Sequence, residues 1–184
     1  MANTSTNVTV GKPKVGGAIW VAPTGTTLPT DATSTLASGF VCLGYVSEDG
    51  LTNNIARTSE DLKAWGGDVV VSSQTEFADT FGFTLIETMN VDVLKNVFGD
   101  SNVTGTLSTG IKISVNSAEL ASKVWVVEMI TSEGGAKRIV VPLGKITEVG
   151  EIAYKDSEIT GYECTLKAFP DTTGNTHYEH IKKA

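Results

Sequence analysis

The sequence predicts a mainly β protein: an antiparallel β-sandwich flanked by one short α-helix. Apolar and polar residues alternate at every second position in several separate segments, which is the period of half-buried strands. Only one segment carries apolar residues at helical spacing. Charged residues make up only 19% of the chain, so Thr, Ser, Asn and Gly must cover much of the surface. Two sheets that bury one apolar face each against the other satisfy this pattern.

The strands are clearest in the middle and near the end of the chain. In 77–85, Phe81, Phe83 and Leu85 fall on one face, and Asp79 is the only break in the alternation. The segment 159–169 alternates in the same way. Further strands are expected at 17–23, 40–46, 111–115, 124–129 and 137–141, the last two joined by a tight turn at 133–135.

The single helix is predicted to follow the strand at 77–85. Val91, Leu94 and Phe98 form an apolar stripe at helical spacing, with Val93 and Val97 beside it. Asn90 can cap the start of the helix, Asp92 suits the positive end of its dipole, and Gly99 can adopt positive φ at its end. A helix this short is not stable alone, so we expect it to pack against a sheet.

The length of 184 residues suits one domain, 1–184, with a polar arm at each end. The arms, 1–15 and 172–184, lack the apolar residues needed to fold by themselves. The segment 47–67 shows no regular period and is expected to be a long connection with a possible helical turn from Ser59. Trp65 within it either packs back on its own core or contacts a partner, and the sequence leaves both open.

The chain is acidic, with a formal net charge of −7 and a pI near 4.8. Proteins that grip a phosphate backbone rely on clustered Lys and Arg, so this charge argues against that class. No segment approaches the roughly 20 consecutive apolar residues that span a bilayer, and no membrane association is expected. The first residues do not resemble a signal peptide.

Catalytic and metal-binding patterns are weak. His177 and His180 flank Glu179 three residues apart, but no third ligand is evident, so a solvated tail is favoured over a metal site. The sequence contains no nucleophile elbow and no phosphate-binding glycine loop that is followed by Lys. We therefore expect no enzyme activity, no cofactor and no metal.

Several stretches, taken in order, resemble the major tail tube proteins of siphophages. They are GAIWVAPTGTTLPTDA at 17–32, FVCLGYVSEDGLT at 40–52, AWGGDVV at 64–70, GFTLIETMNVDVLKNVFG at 82–99 and GYECTLKAFPD at 161–171. The resemblance covers the chain from about Val15 to its end. It rests on the order of these elements rather than on one diagnostic motif.

The resemblance implies a structural, self-assembling protein. Six subunits would form a ring whose sheets close into a barrel, and rings would stack through a long loop and the terminal arms. The tube would hold the tape-measure protein and then conduct double-stranded DNA to the host, without sequence-specific binding. Tail terminator and tail tip proteins would be further partners. The protein would be assembled in the host cytoplasm and reside in the virion.

Two alternatives remain at this point. One is a surface or receptor-binding β-sandwich, such as a carbohydrate-binding module, which would group exposed aromatic residues on one face. The other is a subunit of a contractile-tail or secretion tube. The sequence alone separates these poorly.

Two sets of residues are candidates for the assembly sites. The length and mixed charge of 47–67 predict ring-stacking contacts from Glu48, Asp49, Arg57, Glu60, Asp61, Lys63 and Trp65. An acidic channel lining would repel DNA phosphates. Strand alternation makes Glu163 and Lys167 candidates for the lining, and Glu128, Glu148 and Glu151 are further carboxylates that would supply its negative charge.

Overall fold

Antiparallel strands are the main regular structure of the computed structural model, which describes residues 3–132 and 134–184. The helix α1 spans Val91–Phe98. The strands are β1 (Gly11–Pro13), β2 (Ile19–Pro23), β3 (Val41–Cys42), β4 (Val46–Lys63), β5 (Val69–Leu85), β6 (Val103–Thr106), β7 (Gly110–Ile113), β8 (Lys123–Thr131), β9 (Ala136–Val149), β10 (Tyr162–Ala168) and β11 (Tyr178–Lys182). Residue 133 of the turn predicted at 133–135, and residues 1–2 of the predicted N-terminal arm, lie outside the described residues.

The main sheet has the strand order β3-β2-β8-β9-β10-β5-β4. In addition, β1 pairs with β8, and β11 pairs with β9. Strands β6 and β7 form a separate small sheet that lies beside α1. Every strand pair is antiparallel, as the sequence predicts.

Strand β9 belongs to two parts of this sheet. Its first half pairs with β8 and β11, and its second half pairs with β10. Pro142 lies between the halves, where a residue without an N–H is tolerated because the ladder is interrupted. The sheet curls at this point, so that Phe83 of β5 lies 6.0 Å from Trp125 of β8, measured between ring centroids. Two packed layers result, which confirms the predicted sandwich.

The core lies between these layers. In β10, Tyr162, Cys164, Leu166 and Ala168 are buried and their neighbours are not, as the alternation predicts. Burial raises the pKa of the Cys164 thiol to about 12, so this thiol stays protonated. Both cysteines, Cys42 and Cys164, are free.

The helix has the predicted bounds and caps. Asn90 accepts a hydrogen bond from the N–H of Asp92 at 3.0 Å, and Gly99 ends the helix with φ of 103°. Leu94 of the predicted stripe is buried together with Val93 and Val97, and the other stripe residues, Val91 and Phe98, are half-buried and pack against the same core. The helix contacts β9 of the main sheet as well as β6 and β7.

The prediction of an irregular connection at 47–67, with a helical turn near Ser59, is wrong. This segment is most of β4 and the tip of a long β4–β5 hairpin. From residue 78 back toward the turn, β5 no longer pairs with β10, and both faces of the hairpin are exposed. An apolar alternation reports the burial of one face, so a strand exposed on both faces does not show it. Residues 47–50 leave the ladder in a bulge that contains Gly50 at φ 72°, and the register shifts again at Thr58/Ser59 and at Leu62/Lys63.

The terminal segments pair with their own sheet. Gly11–Pro13 forms β1 on the edge of β8, and Tyr178–Lys182 forms β11 beside the first half of β9. The C-terminal segment thus pairs within its own chain, although its polar composition predicts an arm that does not fold by itself. The segment has few apolar side chains to bury, and its backbone hydrogen bonds to β9 hold it in place instead.

Candidate assembly surfaces

The first candidate surface is the part of the β4–β5 hairpin that extends beyond the sheet, residues 56–78, here called the projecting hairpin. Residues 56–77 are all exposed. The two strands remain paired up to the turn at 64–68, where the Ala64 N–H donates to the Asp68 carbonyl at 2.8 Å. Gly66 and Gly67 adopt φ of 121° and 99°, a region that side chains disfavour. The projecting hairpin therefore has a defined tip.

The tip is apolar. Trp65 is fully exposed, at 107% of its reference area. Leu62 lies opposite Val71 in the ladder, and Val69 and Val70 are also half or more exposed. The question left open by the sequence is thus answered: Trp65 does not pack on the core of its own chain. A cluster of exposed apolar side chains at the end of a projecting hairpin is suited to contact with another protein.

Most of the predicted ring-stacking residues lie on this hairpin. Arg57 stacks on the Phe77 ring, with 4.8 Å between the guanidinium carbon and the ring centroid. Glu60, Asp61 and Lys63 are exposed along the strand. Two predicted members lie elsewhere: Glu48 and Asp49 are in the bulge near the base of the hairpin, far along β4 from the tip.

The second candidate surface is the outer face of β9 and β10. Glu148 lies opposite Thr165, and Lys145 lies opposite Lys167, with Glu163 two residues along β10. The structure thus brings together three of the predicted channel residues, which are Glu148, Glu163 and Lys167. The charges of this outer face are balanced, with two carboxylates and two ammonium groups. Lys145 also pairs with Glu119. Glu151 is exposed just beyond the end of β9.

Glu128 does not fit its predicted place on a channel surface. It is 4% exposed, and its carboxylate accepts hydrogen bonds from Arg138 Nε at 3.2 Å and from Lys14 Nζ at 3.0 Å. Arg138 is fully buried and also donates to the backbone carbonyls of Asp31 and Ser34, both at 2.7 Å. The polar side of β8 is therefore covered by the loop around 31–34. This coverage is long-range and could not be predicted from strand alternation.

The histidines do not form a metal pair. His177 contacts Asp79 through Nδ1 at 2.6 Å, whereas His180 lies on β11, opposite Arg138 in the ladder. Within residues 3–132 and 134–184, no group of three or more His, Cys, Asp or Glu side chains is arranged to hold a metal ion. Among the same residues, no helix is long and apolar enough to cross a membrane.

Sequence reasoning missed one cluster that the structure reveals. Asp79 is buried at the base of the projecting hairpin and binds side chains of the C-terminal segment. The signal was present in the sequence, because Asp79 is the one polar residue on an otherwise apolar strand face. What it binds could not be predicted from the sequence.

The fold is a curled antiparallel sandwich with a flanking helix, and its apolar-tipped hairpin is a surface suited to contact with another protein. The chain belongs to the phage tail tube protein family, because the model of that family matches residues 1–184. It is therefore a structural component of the virion tail, which confirms the resemblance seen in the sequence.

Comparison with solved structures gives a weaker likeness. The chain is similar to the anti-feeding prophage cap, the AFP tube terminating cap determined by cryo-EM, with 13% identity and a TM-score of 0.47. The alignment covers 100% of both chains. This likeness is too weak to carry an argument about function. No curated protein matches the chain by sequence.

Proposed function

We propose that this protein is the repeating subunit of the tail tube. In this proposal the unit is one domain, 1–184, six copies form a ring, and stacked rings enclose the channel that conducts DNA to the host. The role is structural rather than catalytic. The observation that carries the proposal is the projecting hairpin with its exposed apolar tip, because a cluster of exposed apolar side chains of this kind marks a contact with another protein.

The projecting hairpin would contact the next ring. A two-stranded ribbon exposed on both faces is marginally stable in water, so a partner that covers the tip stabilises it. Burying Trp65 and its apolar neighbours would supply a central anchor, and aromatic residues are common anchors of this kind. The mixed charges of Arg57, Glu60, Asp61 and Lys63 would set the register at the rim of the contact. Glu48 and Asp49, which lie in the bulge near the start of β4, would make contacts at a different level along the tube axis from those of the tip.

The outer face of β9 and β10 is our candidate for the channel lining. Glu148, Glu163 and Lys167 would face the channel, with Glu151 near its edge. The face is polar and carries balanced charge rather than the acidic lining that the composition suggested. A surface without clustered cations makes few lasting phosphate contacts, so DNA would slide along it. The tape-measure protein would occupy the channel before DNA, and terminator and tip proteins would close the ends of the tube.

Electron microscopy of the purified protein tests the proposal. We expect rings or tubes for the wild-type chain. A shortened variant, in which 60–73 are replaced by Asn-Gly, keeps Ser59 opposite Gln74 and closes the hairpin with a two-residue turn. It should give a folded subunit that does not form tubes.

Single substitutions refine this test. Trp65→Ala should reduce tube length or yield, whereas Tyr154→Ala removes another exposed aromatic residue, at 78% of its reference area and outside the hairpin, and serves as the control. Tubes formed normally by the shortened variant would contradict a stacking role. Wild-type protein that stays monomeric at every concentration, with or without tail tip proteins, would contradict the proposed subunit role itself.

A further inference from the structure

The base of the projecting hairpin contains a buried carboxylate. Asp79 is 1% exposed and lies on β5 at the last position that pairs with β10, opposite Ala168. On its other side it lies opposite Ile55 of β4. From residue 78 toward the tip, no further strand of the described residues pairs with the hairpin. Asp79 therefore lies at the point about which the hairpin would bend.

Three side chains donate to this carboxylate. Asn53 Nδ2 reaches Oδ1 at 2.8 Å, and Thr176 Oγ1 reaches Oδ2 at 2.6 Å. His177 Nδ1 is also 2.6 Å from Oδ2, and the His177 ring packs edge-on against Phe81 at 5.3 Å between centroids. Burial raises the pKa of Asp79, but the bonds from Thr176, His177 and Asn53 outweigh it, so the pKa lies below its usual value. Asp79 is thus an ionised group that needs these partners.

The C-terminal segment is built to present its two donors. Asp171 closes a turn by accepting the N–H groups of Thr173 at 2.8 Å and Asn175 at 3.1 Å. Its other oxygen accepts the hydroxyl of Tyr178 at 2.6 Å, and β11 begins at Tyr178. Residues 176 and 177 are therefore held between a closed turn and a paired strand. Their contact with Asp79 is a consequence of ordered structure on both sides.

We propose that the C-terminal segment is a clasp that sets the direction of the projecting hairpin, with Asp79 as the positioning residue. The clasp links three parts of the chain that are distant in sequence: β4 through Asn53, β5 through Asp79, and the segment before β11 through Thr176 and His177. Because the projecting hairpin pairs with no further strand among the described residues, a small change of angle at its base displaces the tip by a large distance. The consequence for assembly rests on the stacking role proposed above.

Amide hydrogen exchange of the isolated subunit tests the clasp without any tube. In His177→Ala, exchange of the amides at 56–63 and 69–78 should be faster by about tenfold or more, the factor expected for loss of one hydrogen bond to a charged group. Amides of β10 should keep their protection. The control is His180→Ala, which removes the same side chain three residues further on.

Conservative variants separate positioning from simple destabilisation. His177→Asn retains a donor near the position of Nδ1 and should restore much of the protection. Asn53→Ala removes one donor from the hairpin side and remains informative if His177→Ala does not fold. Unchanged hairpin exchange in both His177→Ala and Asn53→Ala would overturn the clasp.

Assembly is then measured separately by microscopy. If His177→Ala loosens the hairpin and also shortens the tubes, both parts of the inference hold. If it loosens the hairpin but assembles like the wild type, the clasp does not position the hairpin for stacking, and the assembly part is overturned. If wild-type protein forms no tubes, the proposed function fails, while the exchange result still decides whether the clasp exists.

Discussion

Trp125 donates its indole N–H to the carbonyl oxygen of Gly144 at 3.1 Å, across the point where β9 passes from one layer of the sandwich to the other. The indole lies so close to Gly144 that an added Cβ would be 2.9 Å from Trp125 Cδ1. It would also be 3.1 Å from methyl groups of Val141 and Leu166. The absence of a side chain at residue 144 therefore allows the tryptophan to cover this crossing point.

Gly144→Ala should destabilise the subunit by overpacking. All three contacts of the new methyl group are with buried side chains, so relief requires shifts in the core and a cost of about 1–3 kcal/mol. Denaturant unfolding followed by tryptophan fluorescence measures this change. Glu148→Ala, on the exposed face of the same strand, should shift the free energy of unfolding by less than about 0.5 kcal/mol. Equal effects would show that the crossing is not tightly packed.

The helix offers a second test of packing. Leu94 is 2% exposed, and Leu94→Ala should lower the free energy of unfolding by about 2–5 kcal/mol through loss of burial and a cavity. Lys95, the next residue, is half-buried, and Lys95→Ala should cost less than about 0.5 kcal/mol. Thermal melts of the two variants give the comparison. Similar shifts would contradict the orientation of the helix described above.

The buried ion pair should be sensitive to removal of one partner. Arg138→Ala leaves Glu128 in the interior with only Lys14 beside it, and the loop carbonyls at 31 and 34 lose their donor. We expect a loss of about 3–5 kcal/mol in denaturant unfolding. Lys155→Ala, which removes an exposed pair with Glu158, should cost less than about 1 kcal/mol. A loss in unfolding free energy smaller than that of Lys155→Ala would mean that the loop at 31–34 does not depend on Arg138.

Asp31 should make stability depend on acid pH. The backbone N–H groups of Thr33 and Ser34 donate to its carboxylate at 2.6 Å each and lower its pKa to about 2. A folded-state pKa below the unfolded value of about 3.9 means that the stabilisation is complete above that value and is lost as pH falls toward 2. Wild-type unfolding midpoints should therefore decline between about pH 4 and pH 2 more steeply than those of Asp31→Asn. Parallel profiles would contradict this role.

Local sequence signals predicted the elements that are stabilised locally or buried on one face. The alternation of Tyr162 to Ala168 indicates a half-buried strand, and that is how β10 packs. Asn90 and Gly99 mark the ends of the helix because caps act within a few residues of the backbone groups they satisfy. The family was also identified from the order of such elements.

The remaining features depend on which distant segments meet. The projecting hairpin has no apolar alternation because nothing in the part of the chain that the structure describes covers it, and its sequence pattern is therefore that of a loop. Glu128 is predicted from the sequence to lie on a surface, but the loop at 31–34 and Arg138 bury it. Asp79 is visible in the sequence only as a break in a pattern, and its partners Thr176 and His177 lie almost a hundred residues away. Local patterns report the average burial of a face, whereas the tertiary structure alone decides which charge meets which partner inside it.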